Sequence, residues 1–116
     1  MIAVSLVLGQ EGTLVSAEAK GHAGKGTIGT DIVCAAVTIL LRTTMATIAS
    51  RPSVVLEAET AGRGSLAFHV SVWGKTDIPF LQFASAFLQE GLSSLQVEYP
   101  EAVVMRVEIN NDYCTN

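Results

Sequence analysis

One histidine and one cysteine stand on either side of a glycine-broken stretch: Gly21-His22-Ala23, then Gly29-Thr30-Asp31-Ile32-Val33-Cys34-Ala35-Ala36-Val37. A cysteine attacks a carbonyl carbon only as its thiolate, and an ordinary thiol, with a pKa of about 8.5, is mostly protonated at neutral pH. Two devices that would lower that pKa are readable. The residues after Thr30 and Asp31 are apolar at helical spacing, which predicts a helix from about Ile32 to Ser50 with one of those two as its cap. Cys34 then falls in the first turn, where unpaired N–H groups favour negative charge. His22 is the second device, as an ion-pair partner for the thiolate. Asp31 works both ways, since a carboxylate beside a thiol opposes thiolate formation yet favours a protonated histidine, and it reads as a capping or orienting group. The competing reading is structural. Cysteine is commonly a small core residue, and Cys34 runs into Ala35, Ala36 and Val37. On the residues alone the structural reading is the stronger of the two.

The same run, from Gly21-His22-Ala23 through Gly29 to Asp31-Ile32-Val33-Cys34-Ala35-Ala36-Val37, resembles the ribosomal-processing cysteine proteases of bacteria, the Prp family. The resemblance is local, and the remainder agrees in length and element order. It implies a catalytic dyad of His22 and Cys34, with Asp31 at the position of the family's aspartate. Thr38 stands where members commonly carry serine, a change between two small hydroxyl residues. It also implies the substrate: a short N-terminal extension of a large-subunit ribosomal protein, ending in aromatic residues before a small one. The expected reaction is acyl transfer. The Cys34 thiolate attacks the scissile carbonyl, His22 protonates the leaving amine and water releases the acyl-enzyme, with the N–H groups of Val33 and Cys34 as oxyanion-hole candidates. Two other classes compete: a non-catalytic ribosome-associated binding protein, and a thiol redox sensor. The sensor would need a resolving cysteine near Cys34, and Cys114 is not obviously placed for that.

Composition bounds the rest. A chain of 116 residues is read as a single domain, 1–116. Its hydrophobic fraction of 49% against 16% charged residues is high for a monomer, which points to a surface covered by a partner, most simply a homodimer. A net charge of -4 and the lack of a basic stripe argue against direct nucleic-acid binding and suit a basic substrate. No signal-like segment precedes the first strand, so the cytoplasm is expected, and a Cys34–Cys114 disulfide is not. Cys114 itself reads as incidental, in a polar tail. Ile32 to Leu41 is too short to span a membrane and ends at Arg42, so no membrane partner is expected. Two histidines and two scattered cysteines lack zinc-ligand spacing, and no metal or other cofactor is expected.

The elements that must position the dyad follow from periodicity. Ile2 to Leu8 and Thr13 to Ala19 alternate around Gln10-Glu11-Gly12 and read as a hairpin that delivers Gly21 and His22. Gly24, Gly26 and Gly29 read as a flexible loop that closes over an extended peptide. The loop lacks the lysine-then-hydroxyl ending of a phosphate-binding loop. Arg51-Pro52 ends the first helix. Val54 to Glu59 and Ser65 to Trp73 form a second hairpin around Ala61-Gly62-Arg63-Gly64. Asp77-Ile78-Pro79 opens a second helix, and Ala102 to Ile109 is the last strand. The order β-β-α-β-β-α-β predicts an α+β fold, a mostly antiparallel sheet packed with two helices. Phe80, Phe83 and Phe87 at helical spacing read as core rather than pocket. His69 reads as a structural or surface strand residue, and Trp73 as packing or interface.

Overall fold

The computed structural model describes residues 1–21, 28–59 and 65–110, the side chains of 28–31 excepted. Within these the chain runs β1 (Ile2–Leu8), β2 (Leu14–Lys20), α1 (Ile28–Ala49), β3 (Val55–Glu59), β4 (Ser65–Val72), a 3-10 turn (Lys75–Asp77), α2 (Ile78–Glu98) and β5 (Val103–Ile109). The expected order and the α+β class are both present.

The five strands form one sheet in the order β3-β4-β2-β1-β5. Three of its four pairings are antiparallel, and β5 runs parallel to β1. The β1–β2 hairpin closes through a tight turn in which the Gly12 N–H donates to the Gly9 carbonyl at 3.0 Å. Gly12 has φ +81, a conformation that side-chain-bearing residues rarely adopt.

Period-2 alternation gives the sheet two unlike faces. Ile2, Val4, Leu6 and Leu8 of β1 are buried, as are Ala17 and Ala19 of β2 and Leu66, Phe68 and Val70 of β4. Both helices cover that face. α1 contributes Val33, Val37, Leu41 and Ile48, and α2 contributes Leu81, Ala84, Leu88 and Leu92. The opposite face carries Ser5, Ser16, Glu18, Ala67, His69 and Glu57, and no described helix covers it.

Several sequence expectations change here. Of Phe80, Phe83 and Phe87, Phe80 packs against the core, but Phe83 and Phe87 are 66% and 50% exposed, and the buried stripe of α2 lies on Leu81, Ala84, Leu88 and Leu92. Hydrophobic spacing alone cannot say which of two adjacent apolar stripes faces the sheet. α1 also holds an 18-residue window, Ile32–Ala49, apolar and long enough to cross a membrane by length and composition, because a lone Arg42 does not interrupt it. In this fold that window carries the four α1 core residues. Asp77 is not a side-chain cap for α2, although Pro79 does sit in the tolerated first turn.

Asp77 is fully buried, and it ties three segments together. Its carboxylate accepts hydrogen bonds from Arg51 Nε at 2.7 Å, Ser53 Oγ at 2.7 and 2.8 Å, and the Gly74 N–H at 2.9 Å. The Gly74 amide first, then Arg51 and Ser53, hold its pKa below the ordinary 3.8. Arg51 also lies 4.6 Å over the centre of the Phe80 ring. The end of α1, the start of β3 and the start of α2 thus meet at one carboxylate.

Candidate functional site

Cys34 lies on α1, and its position there differs from the sequence reading. The helix begins at Ile28, a full turn before the expected Ile32, so Gly29 is helical and not part of a loop. The cost of glycine in a helix, about 1 kcal/mol relative to alanine, is small enough to be overridden. Cys34 is consequently the seventh helical residue, in the second turn. Only the first four N–H groups of a helix lack intrahelical partners. The N–H groups of Val33 and Cys34 lie beyond that set, within the α1 ladder, and are not free to form an oxyanion hole.

The buried stripe of α1 runs Val33, Val37, Leu41, Thr44, Ile48, at spacings of four, four, three and four. Cys34 sits on the flank of that stripe. It is half-buried, packs against the core cluster and is a free thiol. A side chain at such a boundary has one side held by packing and the other open to a reactant.

The chain leaves the sheet at Gly21. β2 ends at Lys20, and Gly21 has φ +106, in the region that favours glycine. A Cβ there would press into the backbone carbonyl oxygen of Met1. The chain can leave the sheet in this direction only because residue 21 has no side chain. Gly21→Ala is expected to lower thermal stability by more than about 1 kcal/mol. Melting curves on the purified variant check this.

His22, Gly24 and Gly26 lie outside the described residues, as do Cys114 and the side chain of Asp31. Among the described residues no group of three or more His, Cys, Asp or Glu could hold a metal ion.

His69, considered alone in the sequence, has a partner that sheet register reveals. Glu57 on β3 pairs with His69 on β4, and Nε2 of His69 lies 2.9 Å from a Glu57 carboxylate oxygen. Both are exposed, as the strand-residue reading of His69 expected, and such a pair contributes little stability. An open groove of about 690 Å³ runs along the uncovered sheet face beside them, lined by Glu18, Glu57, Glu59, His69, Ser16 and Ser5 among others.

A family profile described as cysteine protease Prp matches residues 1–104. The chain belongs to the Prp cysteine protease family. It is an enzyme of the cysteine protease class, and its fold agrees. The essential ribosomal processing protease Prp from S. aureus, in complex with a substrate peptide, superposes with a TM-score of 0.77 at 22% identity, covering 93% of this chain and 100% of that one. The same S. aureus protein with a covalently linked product peptide gives 0.76 at 23% identity, with the same coverage. SMU.848 from Streptococcus mutans gives 0.74 at 25% identity, covering 95% and 96%. No curated protein sequence matches the chain. In this Prp-family chain the matched span takes in Gly21, α1 and the sheet up to Val104, so Cys34 lies inside it.

Proposed function

We propose that this chain is an endopeptidase that removes a short N-terminal extension from a large-subunit ribosomal protein, with Cys34 as nucleophile and His22 as acid and base. The observation that carries the reading is a free, half-buried thiol on the flank of α1, within the span matched by a cysteine protease family. The substrate class is supported by the S. aureus relative, a ribosomal processing protease held with a substrate peptide.

In the proposed reaction the Cys34 thiolate attacks the scissile carbonyl carbon and forms a tetrahedral intermediate. Its collapse breaks the C–N bond, and the imidazolium of His22 gives its proton to the departing amine. Water, deprotonated by the now neutral His22, then attacks the thioester and returns the thiolate. Asp31, close to both in sequence, is proposed to support the histidine. The site of action is the cytoplasm, where the substrate is assembled into ribosomes.

The test is mass spectrometry of a peptide copying the extension of the host's ribosomal protein, incubated with the wild-type enzyme. A single cut is expected. Binding without any cut would replace this reading with that of a non-catalytic ribosome-associated protein.

A homodimer is part of the same proposal. Phe83 and Phe87 stand exposed on α2 with ring centroids 6.2 Å apart, and Ile32 and Ile39 are exposed on α1. Apolar side chains of this size on neighbouring helices favour a covering partner, and a second copy is the simplest. Sedimentation velocity is expected to show a dimer for the wild type and a monomer for the double variant Phe83→Ser, Phe87→Ser.

A further inference from the structure

The two edges of the sheet are treated differently. On the β5 edge, Gln96 of α2 reaches over and its Oε1 accepts the Met105 N–H at 3.0 Å, so a strand arriving there meets an occupied donor. β3 is the other edge strand, Val55-Leu56-Glu57-Ala58-Glu59, and four of its five residues are exposed. Among the described residues nothing pairs with its outer side. It has none of the usual edge protection by lysine or proline, and one row of its backbone N–H and C=O groups remains available for a further strand.

The side chains of β3 specify what could pair there. Glu57 and Glu59 point to the open face, where they form one wall of the groove that continues past His69 and Ala67 to Glu18. Leu56 and Ala58 alternate to the helix-covered face. A second copy of β3 is disfavoured, because either orientation sets glutamates against glutamates on the same face, and like charges across strands destabilise pairing. A strand bearing lysine or arginine at alternate positions meets the opposite condition. Its cationic side chains can span the ~4.8 Å between strands to reach Glu57 and Glu59, with the groove giving them room to lie down.

We propose that β3 is a docking edge for an extended segment with basic residues at every second position and small apolar residues between, recognised by strand addition and by Glu57 and Glu59. Identifying that segment as part of the basic ribosomal-protein substrate, away from the cleaved bond, rests on the proposed function.

The experiment uses the full chain carrying Cys34→Ala, so that binding is read without cleavage. The probe is a fluorescent ten-residue peptide alternating lysine and valine, followed by anisotropy and by amide chemical shifts. Binding is expected to perturb β3 amides, to weaken with added salt, and to exceed that of a glutamate–valine peptide by about tenfold. Glu57→Lys with Glu59→Lys should invert the preference, and the milder Glu57→Gln with Glu59→Gln should erase it; circular dichroism confirms that each variant folds. A lysine–valine peptide N-methylated at alternate amides should lose binding. Equal binding by the methylated peptide, shifts confined to the helix face, or an unchanged preference in the charge-reversed variant would overturn the proposal. Wild-type protein that binds the probe but cuts no ribosomal peptide would defeat the proteolytic reading and leave this one standing.

Discussion

Replacing Cys34 with alanine is expected to lower kcat/KM on the ribosomal-extension peptide by about a thousandfold or more while leaving the protein folded. Loss of a nucleophile removes the covalent route altogether, and residual catalysis comes only from binding and polarisation of the peptide. The structural cost should be small. Cys34 flanks the buried stripe of α1 rather than belonging to it, so trimming one half-buried sulfur should destabilise by under about 1 kcal/mol. The two readings of this residue predict opposite pairs of results. A nucleophile gives lost turnover with a nearly unchanged melting temperature. A packing cysteine gives a lower melting temperature with turnover retained. Steady-state kinetics and thermal melts on the same preparation separate them, and Cys34→Ser should resemble Cys34→Ala in rate.

Asp77→Asn is expected to have the largest effect on stability, lowering the melting temperature by on the order of 10 °C. The carboxylate accepts from Arg51, Ser53 and the Gly74 amide. An amide offers one oxygen and adds two N–H donors, so one of the three donors now bonded to the buried carboxylate would face another donor while the Arg51 charge lost its partner. The disruption would spread to the end of α1, the start of β3 and the start of α2, since all three are held at this point. The pH dependence has a defined sign. The folded-state pKa of Asp77 lies below its ordinary 3.8, so its contribution is complete above that value and is lost as pH falls through the folded-state pKa. Wild-type melting temperature should therefore drop steeply on the acid side of pH 3.8, and Asp77→Asn should flatten that limb. An acid limb of equal steepness in the variant would assign the acid sensitivity to other carboxylates.

The local patterns that were legible in the sequence are those in which one residue type does one physical job. Alternation in Ile2 to Leu8 and in Ser65 to Val72 marks strands because one face of each is buried, and Arg51-Pro52 stops α1 because proline cannot continue the ladder. The glycine before His22 was visible in a motif, while the reason for it, a positive φ against the Met1 carbonyl, depends on where β1 lies. α1 starts a turn earlier than Gly29 and the cap residues Thr30 and Asp31 suggest, because the propensity penalty of one glycine is small, and Cys34 therefore falls in the second turn. Periodicity cannot tell Phe83 and Phe87 from Phe80, because all three share helical spacing and only Phe80 reaches the core.

The amino-acid sequence by itself therefore determined the α+β class and the order of elements, which follow from short-range spacing. The pair His22 and Cys34, on which the proposed chemistry rests, is what the family resemblance implies. Tertiary structure alone decided that Asp77 is a buried junction rather than a cap, that Glu57 meets His69, that Gln96 reaches over one sheet edge and that β3 is the other, unpaired on its outer side among the described residues. Each of those depends on groups at least nine residues apart in the chain, brought together by strand register and helix packing, and no local periodicity encodes such distances.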